Sequence, residues 1–166
     1  RTREAVQEVT DQLRQNELDE AVRIFTLKRK LIERENPDAV EKLVTAIQAQ
    51  YKGPVTVVGK LGGTSIAFEG SYYAGLLGSR EEAKTLLTEQ KLNTESEIVS
   101  RIISTISQVI ERYGPERISS AYFTVPGFLK PDGTLAQDEA NIPALKAGFS
   151  FEKAVAAALT KKYGRF

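Results

Sequence analysis

The chain has 166 residues, with 23 Lys plus Arg against 22 Asp plus Glu, a formal net charge of +1. That balance argues against nucleic acid or an anionic membrane as the main partner, and 41% hydrophobic with 27% charged residues is ordinary for a globular protein. With no Cys, His, Trp or Met, disulfides, thiolate nucleophiles, zinc fingers and every scheme built on a histidine base are excluded.

Residues 1–52 contain no Gly, one Pro, ten positive and ten negative charges. Apolar residues recur at helical spacing as Ala5, Val6, Val9, Leu13; Leu18, Val22, Phe25; and Val40, Leu43, Val44, Ile47, Tyr51. Asn16 marks one break. Asn36-Pro37-Asp38 marks another, because Asn caps, Pro suits the first helical position and Asp complements the helix dipole. Two or three antiparallel helices are expected. The Lys28-Arg29-Lys30 run, followed by Glu33 and Glu35, reads as a solvated face with ion pairs rather than an anion site.

Gly53-Pro54 is the expected domain boundary, dividing a helical appendage at 1–52 from a mixed α/β or α+β domain at 53–166. Val55-Thr56-Val57-Val58 predicts a buried strand and 59–64 a turn. Ser65-Ile66-Ala67-Phe68-Glu69 predicts the second arm of a hairpin, and Ser71-Tyr72-Tyr73-Ala74 a further short strand. A helix is expected over 79–91, with Ser79 as cap and Glu81 and Glu82 in its first turn. Thr94-Glu95-Ser96-Glu97 fits a capping box for a helix striped by Ile98, Ile102, Ile106, Val109, Ile110 and Tyr113, stopped by Gly114-Pro115. A strand follows from Ile118 to Val125, then a loop with a Pro131-Asp132-Gly133 turn, and a last helix at 151–162 capped by Ser150 and ended by Gly164.

Three pieces carry candidate chemistry. Gly62-Gly63-Thr64, near Lys60, joins strand to strand; glycine amides can approach a phosphate and a Thr hydroxyl can donate to it, although an ordinary tight turn uses the same residues. Val125-Pro126-Gly127 closes a strand, where sites sit in α/β folds. Asn141-Ile142-Pro143 could present an amide that both donates to and accepts from a sugar hydroxyl. Asp138, Glu139 and Glu152 are the nearest carboxylates, and no spacing pairs them as acid and base. No catalytic residue, metal ligand or cofactor is therefore assigned.

Taken in order, residues 55–165 resemble the amino-terminal half of the ROK sugar kinases and repressors, within the actin-like ATPase fold. The resemblance rests on Gly62-Gly63-Thr64 between strands, a long helix ending at Arg112-Tyr113-Gly114, Phe123-Thr124-Val125-Pro126-Gly127, Asp132-Gly133-Thr134-Leu135, Asn141-Ile142-Pro143 and a final helix ending in Tyr163-Gly164. It implies that Gly62, Gly63 and Thr64 face phosphate and that Asn141 faces sugar. The family's acidic residue two places before the first glycine is replaced here by Lys60, which does not help hold magnesium. The chain given also ends at Phe166, before the family's catalytic aspartate and second lobe.

The missing acid–base set and the helical appendage lead to the expectation of a non-catalytic structural or stabilising subunit, bound to protein partners in a larger assembly and not to nucleic acid. The oxidation-poor composition points to a photosynthetic or other oxidant-exposed complex. The alternative is a degenerate sugar-kinase-like domain that binds sugar or nucleotide. A start on Arg1 without Met fits processing of an imported or exported protein.

Overall fold

A computed structural model describes residues 1–71, 83–87 and 92–166. The described residues fall into two compact units, one over Arg1–Gly53 and the other from Pro54 onward.

The first unit is three helices: α1 (Thr2–Arg14), α2 (Leu18–Glu35) and α3 (Pro37–Gln50). Asn16, at φ 57, takes the left-handed conformation Asn tolerates and turns the chain between α1 and α2. Asn36 ends α2, and its side chain accepts the Ala39 N–H at 3.3 Å, with Pro37 in the first turn of α3. The Thr2 hydroxyl donates to Glu35, and Gln50 donates to the Leu13 carbonyl at 2.8 Å. These ties join the start of α1 to the end of α2 and the end of α1 to the end of α3, so the helices run up, down and up. Ala5, Val9, Leu13, Val22, Phe25, Ile32, Leu43 and Ile47 fill the centre. Lys28 pairs with Glu8 across to α1.

The second unit carries a mixed four-stranded sheet in the order β3-β2-β1-β4: β1 (Val55–Leu61), β2 (Ser65–Ser71), β3 (Ala83–Leu86) and β4 (Ile118–Thr124). β2 is antiparallel to both β1 and β3, whereas β4 lies parallel to β1. The helix α4 (Glu95–Tyr113) supplies the crossover that a parallel pair requires. It packs on β1, β2 and β3, burying Ile98, Ile102, Ile106, Val109 and Ile110. Register puts Val55, Val57, Gly59 and Leu61 of β1 and Ile66, Phe68 and Gly70 of β2 on this inner face. On the other face Val58, Leu86 and Tyr122 are exposed. The last helix, α5 (Phe151–Tyr163), is capped by the Ser150 hydroxyl and ends at Gly164 in the left-handed conformation. Its Tyr163 hydroxyl donates to Glu111 of α4 at 2.9 Å, and Lys162 lies 3.3 Å from the same carboxylate.

Four expectations change. The first strand runs on to Leu61 and the second to Ser71 because a glycine in each serves the sheet rather than breaks it. A side chain at Gly59 would stand 2.3 Å from the Phe68 ring, and one at Gly70 2.3 Å from the Tyr113 ring. The bulky partner thus fills the glycine's place. The helix expected over 79–91 is overturned at Ala83–Leu86, which form β3 against β2. Ala-Lys-Thr-Leu is locally permissive, and β2's free edge together with a 2.7 Å hydroxyl contact between Thr85 and Thr105 of α4 selects the strand. The rest of that span, with Ser79, Glu81 and Glu82, and the strand expected at Tyr72-Tyr73-Ala74 lie outside the described residues; Ser71 ends β2. At α4 the Thr94 hydroxyl does accept the Glu97 N–H at 3.1 Å, but the Glu97 side chain reaches back to the Asn93 N–H at 3.0 Å rather than to that of Thr94.

Candidate functional site

The turn Gly62-Gly63-Thr64 closes the β1–β2 hairpin. The Gly62 N–H donates to the Ser65 carbonyl at 2.9 Å, and the Thr64 carbonyl accepts the Leu87 N–H at 2.8 Å. Neither Gly62 nor Gly63 has a positive φ, so the backbone conformation does not require glycine there. Space does. A Cβ on Gly63 would stand 3.0 Å from the Asn141 Cβ and 3.2 Å from its Nδ2. The fold therefore lays the Asn141 side chain directly on the turn.

Asn141 is delivered by a long loop that holds itself in shape. The Leu135 N–H donates to the Phe149 carbonyl and the Gly148 N–H to the Leu135 carbonyl, while Leu129 and Leu135 form an isolated bridge. Leu135, Ile142 and Leu145 are buried anchors. Asn141 precedes the anchor Ile142, which leaves its amide at the surface beside the exposed Thr64. Glu139 lies between the loop segments. Its Oε1 accepts the Asn141 N–H at 3.3 Å, and its Oε2 is 2.9 Å from where a Gly127 Cβ would stand. The turn at 62–64, the strand-end loop at Gly127 and the Asn141 segment thus converge, open to solvent. Chemically, this surface offers turn amides, one hydroxyl, one carboxamide and one carboxylate. That is a hydrogen-bonding set suited to a polyhydroxylated ligand.

Two neighbouring carboxylates maintain the loop rather than enter the site. Asp132 Oδ1 accepts the Thr134 hydroxyl at 2.7 Å and the Thr134 N–H at 3.0 Å, and these bonds, the hydroxyl first, hold its carboxyl below the usual range. Asp138 accepts the Ala147 N–H at 3.0 Å and pairs with Lys146 at 3.3 Å; the amide bond is the larger cause of its lowered pKa. A carboxyl whose folded pKa is depressed contributes stability above its unfolded value, and that contribution is lost as pH falls through the folded value. The loop is therefore expected to hold from neutral pH down to about pH 4 and to loosen progressively below it. Faster amide exchange at Thr134 and Ala147 on acidification checks this, and a pH-independent profile at both amides contradicts it.

The structure brings Gly62, Gly63, Thr64 and Asn141 together. It engages Asp132 in its own turn with Thr134, and places Lys60 on β1, exposed and paired in register with Thr124 and Ala67. Glu139 was legible only as a nearby carboxylate; nothing in its spacing announces that it spans from Gly127 to Asn141. Among the described residues, no group of three or more His, Cys, Asp or Glu is arranged to hold a metal ion, and no helix is long and apolar enough to cross a membrane. No family model matches this chain, and no curated protein matches it in sequence.

Proposed function

We propose that the unit beginning at Pro54 is a sugar-kinase-like binding lobe that takes a phosphorylated sugar or a nucleotide at the Gly62–Thr64 turn and Asn141. The observation that carries this reading is the approach of Asn141 to Gly63, at 3.0 Å from its missing Cβ. A turn used only as a turn does not need an asparagine from a distant loop laid upon it. In this reading the Gly63 and Thr64 amides and the Thr64 hydroxyl receive phosphate, Asn141 receives a sugar hydroxyl, and Lys60 adds positive charge where the family of the resemblance carries an acid. The role is binding rather than phosphoryl transfer.

The test is thermal unfolding of the full chain with glucose, glucose 6-phosphate, ADP and ATP. A ligand at a hundredfold excess over its Kd stabilises by about 2.7 kcal/mol, a rise of several degrees. Asn141→Ala should abolish the rise, and Lys60→Glu should weaken glucose 6-phosphate and the nucleotides while sparing glucose. No rise with any of the four overturns the reading. The assembly-subunit role then becomes the one to pursue, through the native mass of the particle that carries the chain.

A further inference from the structure

We propose that Glu139 is a positioning residue of this site: its carboxylate accepts the Asn141 N–H while packing against Gly127 of the strand-end loop, and so sets where the Asn141 amide stands over Gly63. The inference rests on the reading of the Gly63–Asn141 surface as a ligand site. Its basis is geometric. Glu139 is itself fixed, since its N–H donates to the Leu145 carbonyl at 2.9 Å and Leu145 is fully buried. From that fixed point the half-buried side chain presents one oxygen to each neighbour, Oε1 to the Asn141 N–H at 3.3 Å and Oε2 against Gly127.

Gly127 has φ +82, a conformation that favours glycine, and a Cβ there would stand 2.9 Å from Oε2. The absence of a side chain is what admits the carboxylate. Asn141 is exposed and its Cβ is packed on the turn, so a backbone shift at 141 moves the amide relative to the turn directly. Aspartate is one methylene shorter and cannot reach both neighbours from the same backbone position. Glutamine keeps the length and one acceptor oxygen, so it can still receive the Asn141 N–H.

The experiment compares Glu139→Ala and Glu139→Gln with the parent in the full chain. The first readout needs no ligand: hydrogen exchange of the Asn141 amide by nitrogen-15 NMR. Loss of the acceptor should speed that exchange roughly tenfold in Glu139→Ala, and Glu139→Gln should restore it to near the parent rate. The second readout is the affinity for glucose 6-phosphate. It should weaken roughly tenfold in Glu139→Ala and recover in Glu139→Gln, with unchanged circular dichroism in both. Asn141 exchange unchanged in Glu139→Ala overturns the proposal, and so does a Glu139→Gln variant as impaired as Glu139→Ala. If the parent binds no glucose 6-phosphate, the functional reading fails alone, because the exchange measurement still decides the role of Glu139.

Discussion

Replacing Phe25 by alanine is expected to remove most of the stability of the helical unit. Phe25 is fully buried, on α2 between helices that supply Val9, Leu13, Leu43 and Ile47 to the same centre. The Arg29 guanidinium lies over its ring at 5.7 Å. Removing a buried phenyl group costs about 3–5 kcal/mol through lost transfer energy and the cavity left behind. A unit of this size buries a smaller fraction of its surface than a larger domain does and has only a few kcal/mol in hand. Amide protection across α1, α2 and α3 should therefore fall on the order of a hundredfold or more. Phe25→Leu, which keeps most of the apolar volume, should cost about 1–2 kcal/mol. Equal protection in the parent and Phe25→Ala would show that this ring does not hold the three helices together.

The second large effect is at Phe68. Its ring is 1% exposed, covers Gly59 of the neighbouring strand and meets Phe123 edge-on at 6.2 Å. Phe68→Ala should cost about 3–5 kcal/mol and lower the melting temperature on the order of 10–20 °C. Gly59→Ala acts on the same contact from the other side. Its new methyl would stand 2.3 Å from the ring, and such overpacking costs about 1–3 kcal/mol. The informative variant is the double one. With the ring gone, the methyl at 59 enters the vacated space, so the double variant should lose less than the two singles summed, by about 0.5–3 kcal/mol. Strict additivity would mean that the ring does not fill the place of the missing glycine side chain. Chemical denaturation of the four proteins provides the numbers.

The helix ends were legible because capping is a local matter. Asn36-Pro37-Asp38, Thr94 with Glu97, and Ser150 with Gly164 each satisfy backbone groups from within a few residues. Fifty-odd residues without glycine made the helical region visible in the same way, and the isoleucine stripe of α4 is buried because its spacing presents one face to the sheet. Only the partner of the Glu97 side chain differed, by one residue.

Strand β3 was not legible, since Ala83 to Leu86 carry no pattern that excludes a helix and their state depends on an edge that β2 provides. Gly59 and Gly70 read as interruptions in one dimension. In three dimensions each marks where an aromatic ring from another segment needs room. The candidate site divides along the same line. Residue types and their order nominated Gly62, Gly63, Thr64 and Asn141, because the chemistry of amides and hydroxyls belongs to the residues themselves. That Asn141 lies on Gly63, and that Glu139 reaches both Gly127 and Asn141, depends on loop anchors at Leu135, Ile142 and Leu145. Their burial is settled by packing against the rest of the unit, and no local pattern encodes a distance between segments so far apart in the chain.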